Sequence, residues 1–359
     1  MKYGVDDNGI FKRSIEDINK QLDTMKSQGV EWLRVGFYWE EIESSQRQFR
    51  FETDRIHYDV VVAEASKRGI KILGLLSGVS RAYPSLLGSF VKNGTQFESF
   101  VCPGEWSNEQ HELWKNFIKA TVGRYKDTIN HWEIWNEPNL NDFWHGVYDL
   151  DKTDDSKIAK QRFGYGFVRL LKDARVAIGS CYHSKADYKI ISGGINRVRC
   201  KYEHFPFHWL CTSKEYIDYF CEALTRLDAW DSFDYFGIHP YRSSSGPQAG
   251  PDQENSKWSK FNPYMGTIEK ELRMLVKKYI RGHSIWVTEI GWGEQGDSIG
   301  QGFNLLNTYN ICKYVGSLID CVVWYNWMDV REEDNMGLVD TNGNMKPICG
   351  LYRAVQGKL

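Results

Sequence analysis

Two glutamates are candidate catalytic groups because each lies at the end of a short apolar run. Glu137 lies in His131–Asn139 (His-Trp-Glu-Ile-Trp-Asn-Glu-Pro-Asn), beside an amide and two indoles and directly before a proline. Glu289 lies in Ser284–Trp292 (Ser-Ile-Trp-Val-Thr-Glu-Ile-Gly-Trp). Each is predicted at the carboxyl end of a buried strand. Two carboxyl groups, distant in sequence but acting on one bond, are what the cleavage of a glycosidic bond requires.

The elements that must position these residues alternate along the whole chain. Short apolar runs predict eight strands, at 3–5, 32–37, 70–76, 130–135, 189–194, 234–239, 285–288 and 321–325. Amphipathic runs between them predict helices at 15–28, 57–68, 108–125, 158–178, 214–229, 264–280 and 302–318, with a last turn near 351–355. Eight such units predict an α/β fold, a single (β/α)8 TIM barrel formed by residues 1–359. A doubly wound open sheet is the alternative, but it would concentrate its polar residues near one crevice.

A barrel of this type presents its functional groups at the carboxyl ends of its strands. The substrate-binding candidates selected by this rule are Arg34 in the second strand, Asn136 after the fourth, His239 and Tyr241 after the sixth, Trp324 and Trp327 around the eighth, and Trp39 and Trp292 in predicted loops on the same face. Each has a structural alternative. Arg34 could form a purely structural ion pair, His239 could be a core histidine, and the tryptophans could pack in the core instead of stacking on a sugar.

Several of these motifs resemble a known clan of enzymes. Trp135-Asn136-Glu137-Pro138 after the fourth strand, with Glu289 after the seventh, resembles clan A of the glycoside hydrolases. Gly237–Tyr241, and Trp324–Trp327 followed by Asp334–Val339, are most similar to family 39, with family 5 next. Many family 5 members have a histidine at the end of the third strand, where this chain has Leu-Leu-Ser-Gly at 75–78. The resemblance implies that Glu137 is the acid/base and Glu289 the nucleophile of a retaining enzyme.

The physical requirements of a retaining mechanism fit these roles. The two carboxyl groups must lie about 5–5.5 Å apart. Glu289 must be ionised, and we expect Arg34 to lower its pKa and Tyr241 to donate a hydrogen bond to it. Glu137 must begin protonated, and burial against Trp135 is expected to raise its pKa from about 4.3 toward roughly 6.

Two neighbours of Glu137 have different expected roles. Asn136 is expected to donate a hydrogen bond to the sugar 2-hydroxyl, a contact that strengthens in the transition state. Glu133, which alternates with apolar neighbours in the same run, is predicted to form a structural salt bridge rather than to act in catalysis.

Composition and motif searches exclude several other classes of protein. The net charge of −2, without a basic block, argues against nucleic-acid binding. No apolar run reaches the roughly 18 residues of a membrane span. Neither a C-x-x-C pair nor an H-E-x-x-H motif occurs, and the G-x-G-x-x-G match at 291–296 contains the bulky Trp292, so we expect no metal and no cofactor. The first residues lack a signal-peptide core, which predicts a cytosolic protein or an already trimmed secreted one.

The expected partner is a carbohydrate, a poly- or oligosaccharide with β-linked bonds. Loops predicted at 78–108, 139–156, 196–213 and 241–263 are rich in aromatic residues and favour an extended groove over a closed pocket. Two other functions fit the same residues: a carbohydrate-binding pseudo-enzyme, and a transglycosylase in which a sugar replaces water as the acceptor. The sequence leaves the sugar, the endo or exo mode of action and the oligomeric state open.

Overall fold

Eight strands close into a parallel β-barrel in the computed structural model. The structure describes residues 1–92, 95–140, 143–144, 156–196, 213–241, 272–273, 275–277, 280–293, 298–330 and 335–357. The strands are β1 Lys2–Asp6, β2 Trp32–Tyr38, β3 Lys71–Ser77, β4 Leu87–Lys92, β5 Thr95–Phe100, β6 His131–Asn136, β7 Lys189–Asn196, β8 Tyr235–His239, β9 Ser284–Ile290 and β10 Ile319–Trp324. The order around the barrel is β1-β10-β9-β8-β7-β6-β3-β2, so the predicted (β/α)8 barrel is confirmed.

The helices follow the strands much as the amphipathic runs predict. They are α1 Ile15–Ser27, α2 Trp39–Ile42, α3 Tyr58–Lys67, α4 Asn108–Tyr125, α5 Ser156–Gly179, α6 Ser213–Arg226, α7 Ser298–Val315 and α8 Ile348–Val355. Ser14 caps α1 by accepting a hydrogen bond from the backbone N–H of Asp17. Ser107 and Gln110 form a capping box at the start of α4. Most of the helix predicted at 264–280 lies outside the described residues, but residues 272–273 and 275–277 are helical.

Strands β4 and β5 form an antiparallel hairpin outside the barrel, within the segment 78–108 that was predicted as a loop. Leu87 pairs with Phe100, and Lys92 pairs with Thr95. The sequence between the two strands is Asn93-Gly94, a dipeptide typical of tight hairpin turns. The barrel therefore has its fourth strand in β6 and its seventh in β9.

Contacts within the chain group into two compact units. Unit 1 comprises residues 1–36, 52–73 and 237–359, and unit 2 comprises residues 37–51 and 74–236. Unit 1 contains β1, β9 and β10, with β1 pairing with both β2 and β10. Unit 2 contains β6 and β7, which also pair in parallel. The single domain predicted for 1–359 stays a prediction.

The core of unit 2 is unusually aromatic. Trp135 packs edge-on against Trp114, Trp144 and Trp106, with ring centroids 5.7, 5.5 and 6.4 Å apart. These indoles are almost completely buried. Such a cluster surrounds the end of β6 with rigid apolar surface, which fixes the direction in which the chain leaves that strand.

Close approach of the backbones of β6 and β7 requires a glycine. A Cβ atom at Gly193 would lie 2.5 Å from the carbonyl oxygen of Ile134 and 2.6 Å from that of Trp135. Any side chain at this position would push β7 away from β6.

Among the helices that the structure describes, none is both long enough and apolar enough to span a membrane.

Candidate active site

Glu289, the second-last residue of β9, is a buried carboxylate with two side-chain donors. Its Oε1 accepts a hydrogen bond from Nη1 of Arg34 at 2.5 Å. Its Oε2 accepts a hydrogen bond from the hydroxyl of Tyr241 at 2.9 Å. Nδ1 of His239 lies 3.6 Å from the same Oε2. Arg34 and Tyr241, the two groups expected from the sequence to stabilise this carboxylate, thus both donate hydrogen bonds to it within unit 1.

The charges around Glu289 determine its protonation state. Burial by itself would raise the pKa of Glu289, but the charges of His239 and Arg34 and the hydrogen bond from Tyr241 outweigh burial and hold this pKa below its usual value. Glu289 is therefore a carboxylate at neutral pH. An ionised, nearly water-free carboxylate is the form in which a glutamate can act as a nucleophile.

The ring of His239 is fixed by a partner within the barrel. Its Nε2 lies 3.0 Å from Oγ1 of Thr288, and both side chains are fully buried. The backbone N–H of Tyr241 donates to the carbonyl of His239 at 2.9 Å, which turns the chain at the intervening proline. Because of this turn, Tyr241 reaches Glu289 while His239 stays within the strand layer.

Asp6, the last residue of β1, is a member of this cluster that the sequence analysis missed. In the register of β1 and β2, Asp6 pairs with Arg34. Nη1 of Arg34 donates to Oδ2 of Asp6 at 2.7 Å, and both side chains are fully buried. An acidic residue at the end of a predicted strand was the available signal, because the same rule that selects Arg34 applies to the first strand.

Glu137 follows β6 in a strained turn. The backbone φ angles of Trp135 and Glu137 are +69° and +43°, in the left-handed region that non-glycine residues seldom adopt. Each such residue costs about 1–3 kcal/mol, and this strain is typical of functional sites. The backbone N–H of Leu140 donates to the carbonyl of Glu137 at 2.9 Å, which closes the turn.

Two asparagines hold Glu137 in unit 2, and the sequence analysis selected neither. Nδ2 of Asn196, at the end of β7, donates to Oε1 of Glu137 at 2.5 Å. The side chain of Asn139 donates to the carbonyl of Asn196 at 2.7 Å and accepts from its N–H at 3.0 Å. Asn139 thus ties the turn after β6 to the end of β7. Their signal was weak, because a single asparagine after a strand is common in loops.

Glu133 lies within β6, four residues before Glu137, and is completely buried. Its Oε1 accepts a hydrogen bond from the backbone N–H of Gly194 on β7, at 3.1 Å. This contact links β6 to β7, and the salt bridge predicted for Glu133 stays a prediction. Asn136, the last residue of β6, pairs with Gly194, and its predicted contact with a sugar stays a prediction.

The four tryptophans predicted to bind substrate are buried in this structure. Trp39, Trp324 and Trp327 are fully buried, and Trp292 is only 3% exposed. Three of their indole N–H groups donate within the protein: that of Trp39 to Glu43, that of Trp324 to the carbonyl of Met336, and that of Trp327 to Gln21. Burial favours the packing role for these rings, and their contact with a sugar stays a prediction.

Solved structures of glycoside hydrolases share this fold over nearly the whole chain. A family 39 glycoside hydrolase from the gut symbiont Bacteroides cellulosilyticus WH2 matches with a TM-score of 0.67 and 20% identity, over 99% of this chain and 63% of that one. A β-galactosidase from the haloarchaeon Halorubrum lacusprofundi matches with a TM-score of 0.68 and 14% identity, over 99% and 58%. A family 1 β-glucosidase from Thermotoga maritima matches with a TM-score of 0.64 and 13% identity, over 99% and 97%.

These similarities concern the fold. The chain spans about three fifths of the length of the first two structures. No family model and no curated protein sequence matches the chain. The solved structures that share this barrel thus include a member of family 39, the family that the sequence motifs resemble.

Proposed function

We propose that the protein is a retaining glycoside hydrolase that cleaves β-linked bonds of a poly- or oligosaccharide. The observation that carries this proposal is the buried, ionised Glu289 held by Arg34 and Tyr241 at the end of the seventh barrel strand. Glu137, at the end of the fourth barrel strand, is the second carboxyl group. The shared fold with glycoside hydrolases of families 39, 1 and 5 supports the same activity.

The first step of the proposed reaction forms a covalent intermediate. Oε of Glu289 attacks the anomeric carbon, and the bond from that carbon to the leaving oxygen breaks. Glu137 gives its proton to the leaving oxygen as the bond breaks. One negative charge is consumed at Glu289 and one appears at Glu137, so the charge of the site is unchanged.

The second step releases the sugar. Glu137, now a carboxylate, takes a proton from water, and the water oxygen attacks the anomeric carbon. The bond to Glu289 breaks and restores the nucleophile. Two inversions at one carbon retain its configuration, and no cofactor takes part. Asn196 and Asn139 would keep Glu137 oriented in both steps, because they fix the turn that carries it.

Arg34 and Tyr241 would have a second role in this reaction. Their hydrogen bonds stabilise the carboxylate before attack, and they remain in place to stabilise it again as a leaving group in the second step. A preorganised pair of donors costs no reorganisation at the moment of reaction. This role requires that both donors stay fixed, which agrees with the complete burial of Arg34.

The experiment that tests the proposal is a screen of β-linked chromogenic glycosides and polysaccharides, with proton NMR of the first product formed. The expected result is cleavage of at least one substrate with initial release of the β-anomer. An initial α-anomer would overturn the retaining mechanism. Binding of a glycan without turnover of any substrate would instead favour the carbohydrate-binding alternative.

A further inference from the structure

We propose that Asp6 is a positioning residue for the nucleophile, Glu289. Asp6 is a neutral carboxylic acid that holds Arg34 in place, so that the positive charge of Arg34 stabilises Glu289. This inference rests on the proposed function in so far as it assigns the nucleophile. The protonation state of Asp6 is a separate physical claim, and it can be tested without any substrate.

The geometry places two carboxyl groups on one nitrogen. Nη1 of Arg34 donates to Oδ2 of Asp6 at 2.7 Å and to Oε1 of Glu289 at 2.5 Å. Arg34 and Asp6 are 0% and 1% exposed, so water does not screen these charges. Arg34 must divide its positive charge between two buried carboxyl groups, and the other nearby cation, His239, lies beside Glu289. Burying an uncompensated charge costs several kcal/mol, so one of the two groups is expected to hold a proton.

The surrounding groups determine which carboxyl group holds the proton. Glu289 accepts a second charge-stabilising hydrogen bond from Tyr241, and His239 lies 3.6 Å from it on β8. Among the hydrogen bonds of the described residues, the carboxyl group of Asp6 has, besides that from Arg34, only a 3.3 Å contact with the backbone N–H of Asn8. The anion is therefore better stabilised at Glu289 than at Asp6.

The charged groups that face Asp6 are Arg34 on β2, Glu289 on β9 and its neighbour Asp7. Asp7 is held by both terminal nitrogens of Arg13, at 2.6 and 2.9 Å, so Arg13 is occupied by that residue. Burial raises the pKa of Asp6 to about 8 against the effect of Arg34, and the charge of Glu289 adds to the rise. This direction agrees with the proton placement that the contacts indicate.

A neutral Asp6 makes a specific contribution to catalysis. Its carbonyl oxygen still accepts from Arg34 and fixes the guanidinium group, but it does not compete for the positive charge. An ionised Asp6 at the same place would repel the carboxylate of Glu289 and raise the pKa of Glu289. Near pH 8, the ionisation of Asp6 would therefore begin to weaken the hold of Arg34 on the nucleophile.

The first test measures protein stability and needs no substrate. A carboxyl group whose pKa is raised on folding contributes stability that is present below its unfolded pKa of 3.8 and is lost as the pH rises through about 8. The melting temperature of the wild type minus that of D6N should therefore fall between about pH 4 and pH 8. A difference that is constant, or that rises with pH as it would for an ionised structural aspartate, would overturn the proposal.

The second test measures the acid limb of kcat/KM on whichever glycoside the wild type cleaves. Near pH 4 a protonated Asp6 and an asparagine carry the same charge, so D6N should leave the acid limb in place. If Asp6 is ionised, D6N removes a negative charge beside Glu289 and shifts the limb to lower pH.

D6A should lower kcat by about tenfold or more with little change in KM, since one hydrogen bond to a charged group is lost. D6N should recover most of that loss.

D7A is the matched control, because it removes the neighbouring buried aspartate but leaves the contact of Asp6 with Arg34. Its kcat should remain close to that of the wild type. If D6N does not fold, carbon-13 NMR of wild-type protein labelled at the aspartate carboxyl carbons provides the same information. One aspartate carboxyl resonance of the wild type should titrate with a midpoint near 8; if none titrates near 8, Asp6 is ionised and the proposal is wrong.

Discussion

The two glutamates accept hydrogen bonds from different kinds of donor, and this difference supports their proposed roles. Glu289 accepts from a guanidinium group and a phenol, which favours the ionised form. Glu137 accepts a hydrogen bond from an uncharged amide, that of Asn196. An amide donor orients a carboxyl group without supplying a positive charge. The charged donor thus lowers the pKa of the proposed nucleophile, Glu289.

Replacing each glutamate by glutamine should distinguish catalytic from structural carboxyl groups. E137Q and E289Q should each lower kcat by about 10²–10⁴-fold, the usual contribution of a general acid or a nucleophile. E133Q is the matched control, because Glu133 is buried in β6, the strand that precedes Glu137, and glutamine can still accept from Gly194. Turnover of the parent's substrate should stay within a few-fold in E133Q. Near-full activity in E137Q or E289Q would remove that residue from the mechanism.

A small external nucleophile should identify Glu289 more directly. E289G leaves room beside the anomeric carbon, and azide should restore part of the turnover of a glycoside with an activated leaving group. The product should be the glycosyl azide of inverted configuration, because only one displacement then takes place. E137G should instead give a glycosyl azide of retained configuration. The same azide product from both variants would contradict the separate roles.

Arg34 should control the protonation of Glu289. In R34Q the positive charge is lost, so the pKa of Glu289 rises and the acid limb of kcat/KM moves to higher pH. Stability should fall by about 3–5 kcal/mol, the usual cost of removing one partner of a buried ion pair. R13Q is the control, since Arg13 binds Asp7 rather than Glu289, and its acid limb should not move. An unchanged acid limb in R34Q would show that Arg34 is only structural.

At the scale of elements, the site depends on how strand ends are tied together. Asn139 joins the turn after β6 to the end of β7 by two hydrogen bonds. N139A should lower kcat by about tenfold while KM changes little, because Glu137 loses its fixed position but the substrate contacts remain. N19A, which removes a surface asparagine whose side chain contacts Ile15 in α1, is the control and should keep full activity. Equal kcat in N139A and wild type would separate this turn from catalysis.

Strand positions were predictable because apolar runs of strand length alternate with longer amphipathic runs. Each predicted barrel strand overlaps an observed one, for example 32–37 with Trp32–Tyr38 and 189–194 with Lys189–Asn196. The hairpin at 87–100 was missed because its residues do not form a continuous apolar run, and the Asn-Gly turn signal was not used.

The supporting residues of the site were less predictable than its glutamates. Glu137 and Glu289 follow recognisable runs, whereas the side-chain partners of Asp6 and Asn196 are determined by long-range pairing. Asp6 contacts Arg34 because β1 and β2 are in a particular register, and the sequence of two strands does not reveal their register. The tryptophans show the opposite problem: their composition suggests a sugar platform, whereas Trp39 and Trp327 are fully buried with satisfied indole N–H groups.

At the scale of the molecule, closure of the barrel depends on its first strand. β1 closes the barrel because it pairs with β2 on one side and with β10 on the other. It also carries Asp6, so the strand that completes the sheet contributes to the cluster around Glu289. Stability and the proposed activity are therefore coupled through the first six residues.

This coupling predicts different outcomes for two deletions. Removing residues 1–6 should abolish the cooperative melting transition and cause aggregation, because the unpaired edges of β2 and β10 become exposed. Replacing the hairpin 87–100 by a short glycine-serine linker should preserve cooperative melting, because β4 and β5 lie outside the barrel. Calorimetry and size-exclusion chromatography measure both results. If the chain without residues 1–6 remained a cooperatively melting monomer, closure of the barrel through β1 would not be what stabilises the sheet. The proposed coupling between stability and activity would then be wrong.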